Sequence, residues 1–284
     1  MSFRAALLAA ACAALAAASA ADELAIYRAS GADVGLFDQY DNDGYSLAVT
    51  PREGGELELS VRVSAMPLST RAPFPTNAPP DASLARSAER DAFARTLAGD
   101  ATTQVQAVER ILSGVAAYVR YDTDRSRRQD PASVYASRRA HCVGISELAV
   151  DLLRRVGITA RTVQGVLRSK PESEGYEERI GGVFHRWIEV YYPDTGFVFS
   201  DPSSSINSVD ARYVPFNRRA LERPRQLRLT QVEASGRLDY PVKHLPDATL
   251  RIRPTQPLSG PLRGPTDMRG DVPCGSSPSE SNPC

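Results

Sequence analysis

Histidine occurs three times in this 284-residue chain, tryptophan once, cysteine four times, and lysine only at Lys170 and Lys243. Each scarcity excludes something. Scattered histidines with no Cys-x-x-Cys or His-x-x-x-His pattern argue against a zinc site. With 34 basic and 34 acidic residues the formal charge is zero, so charge points to neither nucleic acid nor an anionic surface. Arginine supplies nearly all the positive charge, a bias that reflects genome composition more than function. After the first segment no apolar run approaches the about 20 residues that span a bilayer. The only calcium-like stretch, Asp41-Asn42-Asp43-Gly44, fails the EF-hand register, which would put Gln39 and Thr50 at the terminal carboxylate positions. A plain turn is expected there.

The first segment, MSFRAALLAAACAALAAASA, has Arg4 as a short positive region, an apolar stretch from Ala5, and Ala18-Ser19-Ala20 as a small-residue cleavage site. It reads as a secretory signal peptide over residues 1–20, so a secreted or periplasmic product is expected. Ala9, three before Cys12, is smaller than the aliphatic a lipoprotein would place there. Cleavage leaves Cys142, Cys274 and Cys284, an odd set for an oxidising compartment. Cys274 and Cys284 share the tail GDVPCGSSPSESNPC, whose Pro, Ser and Gly content reads as disorder over 266–284. They are natural partners for each other, which leaves Cys142 as the free thiol. The Arg269-Gly270-Asp271 triplet in the same tail is treated as a chance match.

Patterning divides the rest. Tyr45–Thr50 and Leu57–Ala65 read as strands, the second with Leu57, Leu59, Val61 and Val63 alternating against polar residues. With the Pro-rich connector "PLSTRAPFPTNAPPD" they form an N-terminal β module over 21–80. Helix signals follow as far as Tyr121, with Val105, Val108, Leu112, Val115 and Val119 on one face. A loop runs through "TDRSRRQDP". Leu148, Leu152 and Val156 then line a helix behind Cys142 that stops at Gly157. Strands are expected at Thr159–Leu167, His185–Tyr191 and Phe197–Asp201, with "GYEERIGG" as a mobile loop. Weaker strand signals, "LRLTQV" and "ATLRIRP", mark a C-terminal extension over 217–265.

Cys142 opens its helix, where unpaired N–H groups and the positive dipole end favour a thiolate. Its own N–H would face an oxyanion forming on an acyl carbon held at the sulfur. The competing reading is a small buried hydrophobe. A nucleophilic cysteine needs a histidine base and a third group to orient it. His141 is the adjacent residue, where side chains are expected to diverge, and His244 lies in the weakly patterned C-terminal region. That leaves His185. A five-residue hairpin loop from Tyr192 to Gly196 pairs Tyr191 with Phe197 and sets Trp187 opposite Asp201, on the face of His185. His185 and Asp201 are then diagonal neighbours, within reach on a twisted ribbon.

The segments "ILSGVAAYVRYD", "AHCVGISELAVDLLRRVGITARTVQG" and "FHRWIEVYYPDTGFVFSDPS", over about Thr103 to Ser205, resemble the transglutaminase-like superfamily in its bacterial secreted branch. The resemblance implies an α+β, papain-like core over 81–216, with the cysteine helix packed on an antiparallel sheet. It implies a Cys-His-Asp triad at Cys142, His185 and Asp201. Ala140 departs from the glycine many relatives carry two residues before the cysteine. A second oxyanion donor is unplaced, with Tyr135 and His141 the candidates considered. No cofactor and no metal are expected, and the implied partner is a peptide or protein substrate. Hydrolysis of amide bonds is preferred over cross-linking transfer to an amine, because nothing reports a water-excluding site or a lysine groove. A silent module that binds a peptide or wall polymer is the alternative from another class.

Overall fold

A computed structural model describes residues 22–169, 181–217, 225–238 and 246–252, apart from 33, 38, 66–67 and 125. The expected signal peptide at 1–20, most of the expected GYEERIGG loop, His244 and the tail bearing Cys274 and Cys284 lie outside the described residues.

The helices form where caps and apolar periodicity coincide. α1 (Ala88–Ala98) is capped by Ser87, whose side chain accepts from Arg90 N–H. α2 (Gln104–Tyr118) starts with a reciprocal capping box between Thr103 and Gln106. Val108, Leu112 and Val115 of the expected stripe are fully buried. α2 ends three residues before Tyr121, because Arg120–Tyr121 (β5) leaves the helix to pair in parallel with Arg139–Ala140 (β6). Between these two short strands lies α3 (Pro131–Ser137), which the loop reading did not anticipate. Asp130 caps it, and Pro131 supplies the preset φ of a first helical turn. α4 (Cys142–Arg155) carries the cysteine and is followed by Gly157 at φ 79°.

Two antiparallel sheets and the helices make three layers. The central sheet has the order β10-β7-β8-β9, from Tyr213–Pro215 (β10), Ala160–Arg168 (β7), Gly182–Tyr192 (β8) and Gly196–Ser200 (β9). Ile188, Val190, Tyr192 and Val198 face the helices, packed against Leu148, Leu152 and Ile111. On the opposite face Trp187, Phe197, Phe199 and Tyr213 pack against a six-stranded sheet. That sheet joins Glu23–Ser30 (β1), Tyr40–Asn42 (β2), Tyr45–Pro51 (β3) and Leu57–Val63 (β4) to Arg225–Ser235 (β11) and Ala248–Ile252 (β12). Its order is β12-β11-β1-β4-β3-β2, so strands from both ends of the chain lie side by side. The α+β expectation holds, with the cysteine helix on one face of an antiparallel sheet.

A sheet covered on both faces must satisfy every polar side chain it buries. Arg161 pairs with Glu189, which also accepts from Tyr40 Oη of the six-stranded sheet. Tyr45 Oη donates to Tyr213 O at 2.6 Å and Tyr27 Oη to Ala211 O at 2.7 Å, which fixes the layers' spacing beside the site. Gly165, opposite His185 across β7 and β8, marks a close approach of β10 and the Trp187 ring to β7. A Cβ there would sit 2.1 Å from Val214 O and 2.6 Å from Trp187 Cη2. Because backbone is the nearer obstacle, Gly165→Ala is expected to cost about 3 kcal/mol through overpacking. Thermal unfolding should show a fall of roughly 6–10 °C; an unchanged midpoint would refute the close packing.

Candidate active site

Five backbone amides around the start of α4 can be accounted for one by one. His141 is the N-cap, with extended backbone, and its Nδ1 accepts from Val143 N–H at 3.3 Å. Gln129, buried in the preceding loop, accepts both His141 N–H and Gly144 N–H at 3.2 Å through one oxygen, Oε1. Its Nε2 is tied to Arg127 O at 3.1 Å. Ile145 N–H bonds His141 O. Among the described residues Cys142 N–H is the one amide of the first turn with no protein acceptor. Gly144 is required by crowding, since a Cβ would lie 2.6 Å from Gln129 Oε1 and 2.8 Å from Ala140 Cβ. The extra methyl of Ala140 is therefore accommodated by the missing one at Gly144.

The hairpin supplies the other two groups. Tyr191 pairs with Phe197 and Ile188 with Ser200, the register the parity argument requires, and pairing extends to Tyr192 opposite Gly196. β9 stops at Ser200, so the outer edge of β8 is bare from residue 187 back. Tyr191 N–H bonds Thr159 O on the β7 side, so the even residues of β8 turn their backbone groups toward that bare edge. α4 fills it: Ser146 Oγ donates to Arg186 O at 2.9 Å, and the Arg186 backbone reaches Cys142. The cysteine thus arrives at the strand edge, where His185 can meet it from the other face.

His185 Nε2 lies 2.6 Å from Asp201 Oδ2. Asp201, 1% exposed, is saturated: Oδ2 also accepts from Tyr213 Oη at 2.8 Å, and Oδ1 from Ser203 N–H at 2.9 Å and Ser203 Oγ at 2.6 Å. Burial opposes its charge, but the bond and charge of His185, with Ser203, hold the carboxyl below its ordinary value. Trp187 stacks on the imidazole at 6.1 Å between centroids. With Nε2 engaged, Nδ1 is the nitrogen left for the sulfur.

Burial would lower the imidazole's affinity for a proton; the Asp201 hydrogen bond and the bond to Cys142, with both charges, raise it from 6.5 to about 10. Burial would likewise raise the Cys142 thiol. Hydrogen bonds from His141 and His185, the His185 charge and the Arg186 backbone outweigh it and bring the thiol from 9.0 down to about 6. Between these values the pair is thiolate and imidazolium.

The structure brings Cys142, His185 and Asp201 together. It corrects one expectation, since the His141 side chain does not diverge from Cys142 but reaches it. The reason is the extended N-cap backbone, which folds the ring back over the first turn. Gln129, Ser203, Tyr213 and Arg186 went unrecognised in the sequence. Only Ser203 carried a local signal, as the residue two beyond Asp201 in a turn. A separate cleft of about 450 Å³, lined by Asp43, Tyr45, Leu68, Asp194, Phe199 and Asn207 among others, contains none of the three. Among the described residues no group of three or more His, Cys, Asp and Glu is placed to hold a metal ion. No helix of the described residues is long and apolar enough to cross a membrane.

Comparison with known proteins shows what parts of the chain are similar to. The uncharacterized protein YebA of Bacillus subtilis (strain 168) is 28% identical over 82 residues, which are 26% of this chain and 11% of that protein. The present chain therefore spans about a tenth of that relative's length. A proposed cysteine protease from Cytophaga hutchinsonii superposes with TM-score 0.42 at 12% identity, over 86% of this chain and 96% of that one. The periplasmic domain of TgpA from Pseudomonas aeruginosa gives 0.34 at 15% identity, over 66% and 88%. A family model for the Transglutaminase-like superfamily matches residues 91–202, a range that holds Cys142, His185 and Asp201. Residues 91–202 are a transglutaminase-like domain.

Proposed function

We propose that this protein is an exported cysteine-dependent enzyme that cleaves amide bonds by acyl transfer to water. One observation carries the reading: Cys142 meets an imidazole anchored on a buried carboxylate, and its own amide has no acceptor among the described residues. The Cys142 thiolate attacks the amide carbon and forms the C–S bond, while Cys142 N–H receives the developing oxyanion. His185 Nδ1–H protonates the leaving amine as the C–N bond breaks. Water then gives its proton to the now neutral Nδ1, attacks the thioester, and releases the carboxylic acid and the thiolate. Asp201 keeps Nε2 protonated and the ring aimed, and stabilises its charge. Tyr213 and Ser203 hold Asp201. Export rests on the leader sequence, and the peptide or protein nature of the substrate on the superfamily.

The signs of the two shifts define a window. A thiol lowered to about 6 ionises above that pH, and an imidazole raised to about 10 stays protonated below it. In a Cys274→Ala/Cys284→Ala background, the rate of Cys142 alkylation by iodoacetamide should rise through a midpoint near pH 6. With His185→Ala added, the midpoint should move up toward 9.0, because the hydrogen bond and charge of that ring are lost while those of His141 and the Arg186 backbone remain. An ordinary profile in the unsubstituted site would refute a paired nucleophile. Asp201→Asn should lower kcat/KM on the order of 10³-fold while the protein stays folded. With a glutamine peptide and a labelled amine, ammonia release should exceed amine incorporation; the reverse ratio would make the protein a cross-linking enzyme.

A further inference from the structure

Arg186 follows His185 in β8 and therefore points to the opposite face, into the helical layer. It is 2% exposed. Nη1 donates to Glu147 Oε1 of α4 and Nη2 to Gln164 Oε1 of β7, each at 2.9 Å. Its main chain meets α4 as well, through Ser146 Oγ and Cys142. One residue thus touches α4 at Cys142, Ser146 and Glu147. Glu147 is itself 2% exposed, so the ion pair is withdrawn from water on both sides.

Such a pair is weak evidence for stability, since apolar residues of the same volume commonly do as well or better. A cation that cannot be discharged has a distinct effect in a dry site, where it favours any anion nearby. The anion here is the thiolate. Burial acts against the Arg186 charge, while Glu147 and Cys142 both support it, which is the same coupling seen from the other end. The groups acting on the sulfur are His141, the N-cap of α4, with His185 and Arg186 from β8; Glu147 of α4 stands behind Arg186, and Gln164 on β7 is neutral.

We infer that Arg186 is a positioning residue for Cys142, seating the first turns of α4 on the bare edge of β8 and holding a permanent positive charge behind the sulfur. The inference rests on Cys142 being the nucleophile. Its counter-ion Glu147 works against the thiolate, so the two partners have opposite effects on it. A mere staple would have no such sign.

The test is the pH profile of Cys142 alkylation in the Cys274→Ala/Cys284→Ala full-length protein, with folding checked by thermal unfolding. Arg186→Met/Glu147→Gln, which removes both charges together, should raise the midpoint by about one pH unit. Glu147→Gln alone keeps the cation and should lower it by a few tenths. A folded double variant with the parent's midpoint would overturn the inference. Should the double variant fail to fold, Glu147→Gln decides: a lowered midpoint supports the charge role, and an unchanged or raised one overturns it. A parent protein that titrates near 9 would instead refute the nucleophile itself, so the two failures are distinguishable.

Discussion

The seat of α4 on the edge of β8 is the constraint from which the site follows. β9 ends at Ser200, so on that side the buried backbone of Arg186 meets α4 in place of a strand. Cys142 and Ser146 occupy that edge. The helix is thereby indexed to the sheet at the turn that bears the thiol, and His185 needs only to lean around one strand to meet it. A β9 longer by two residues would have closed the edge and kept cysteine and histidine on opposite faces.

The electrostatics are arranged by the same geometry. At this depth desolvation acts against charge on both the thiol and the imidazole. Together they are charged, and Asp201 fixes which partner keeps the proton. The four donors around Asp201 leave that carboxylate no reason to take a proton itself.

Much of this was legible in the letters wherever the relevant contact was local or periodic. Alternation placed β4, helical spacing placed α2 and α4, and the parity of one short hairpin put His185 and Asp201 on a common face. What escaped depends on distant residues or on fine backbone angles. Gln129 reaches α4 across a loop and a short helix. Tyr213 reaches Asp201 from β10, a three-residue strand too short to show a period. The direction of the His141 ring turns on an N-cap with φ −95° and ψ −173°, which no residue pattern encodes. Arg186 reads as an ordinary strand arginine until its burial against α4 is seen.

The pairing of β1 with β11 bears on how the chain reaches this state. Leu24 is matched with Ser235 and Ser30 with Arg228, so the middle of the six-stranded sheet joins segments nearly the whole described chain apart. Closing so long a loop is slow and entropically late, whereas the helical layer can form from neighbours. Until β11 arrives, β1 lacks one side of its ladder and the aromatic face of the central sheet, with Trp187 and Tyr213, stays wet. The imidazole's surroundings are thus finished last, and a half-made chain holds the cysteine without the dry, carboxylate-anchored histidine that would make it reactive.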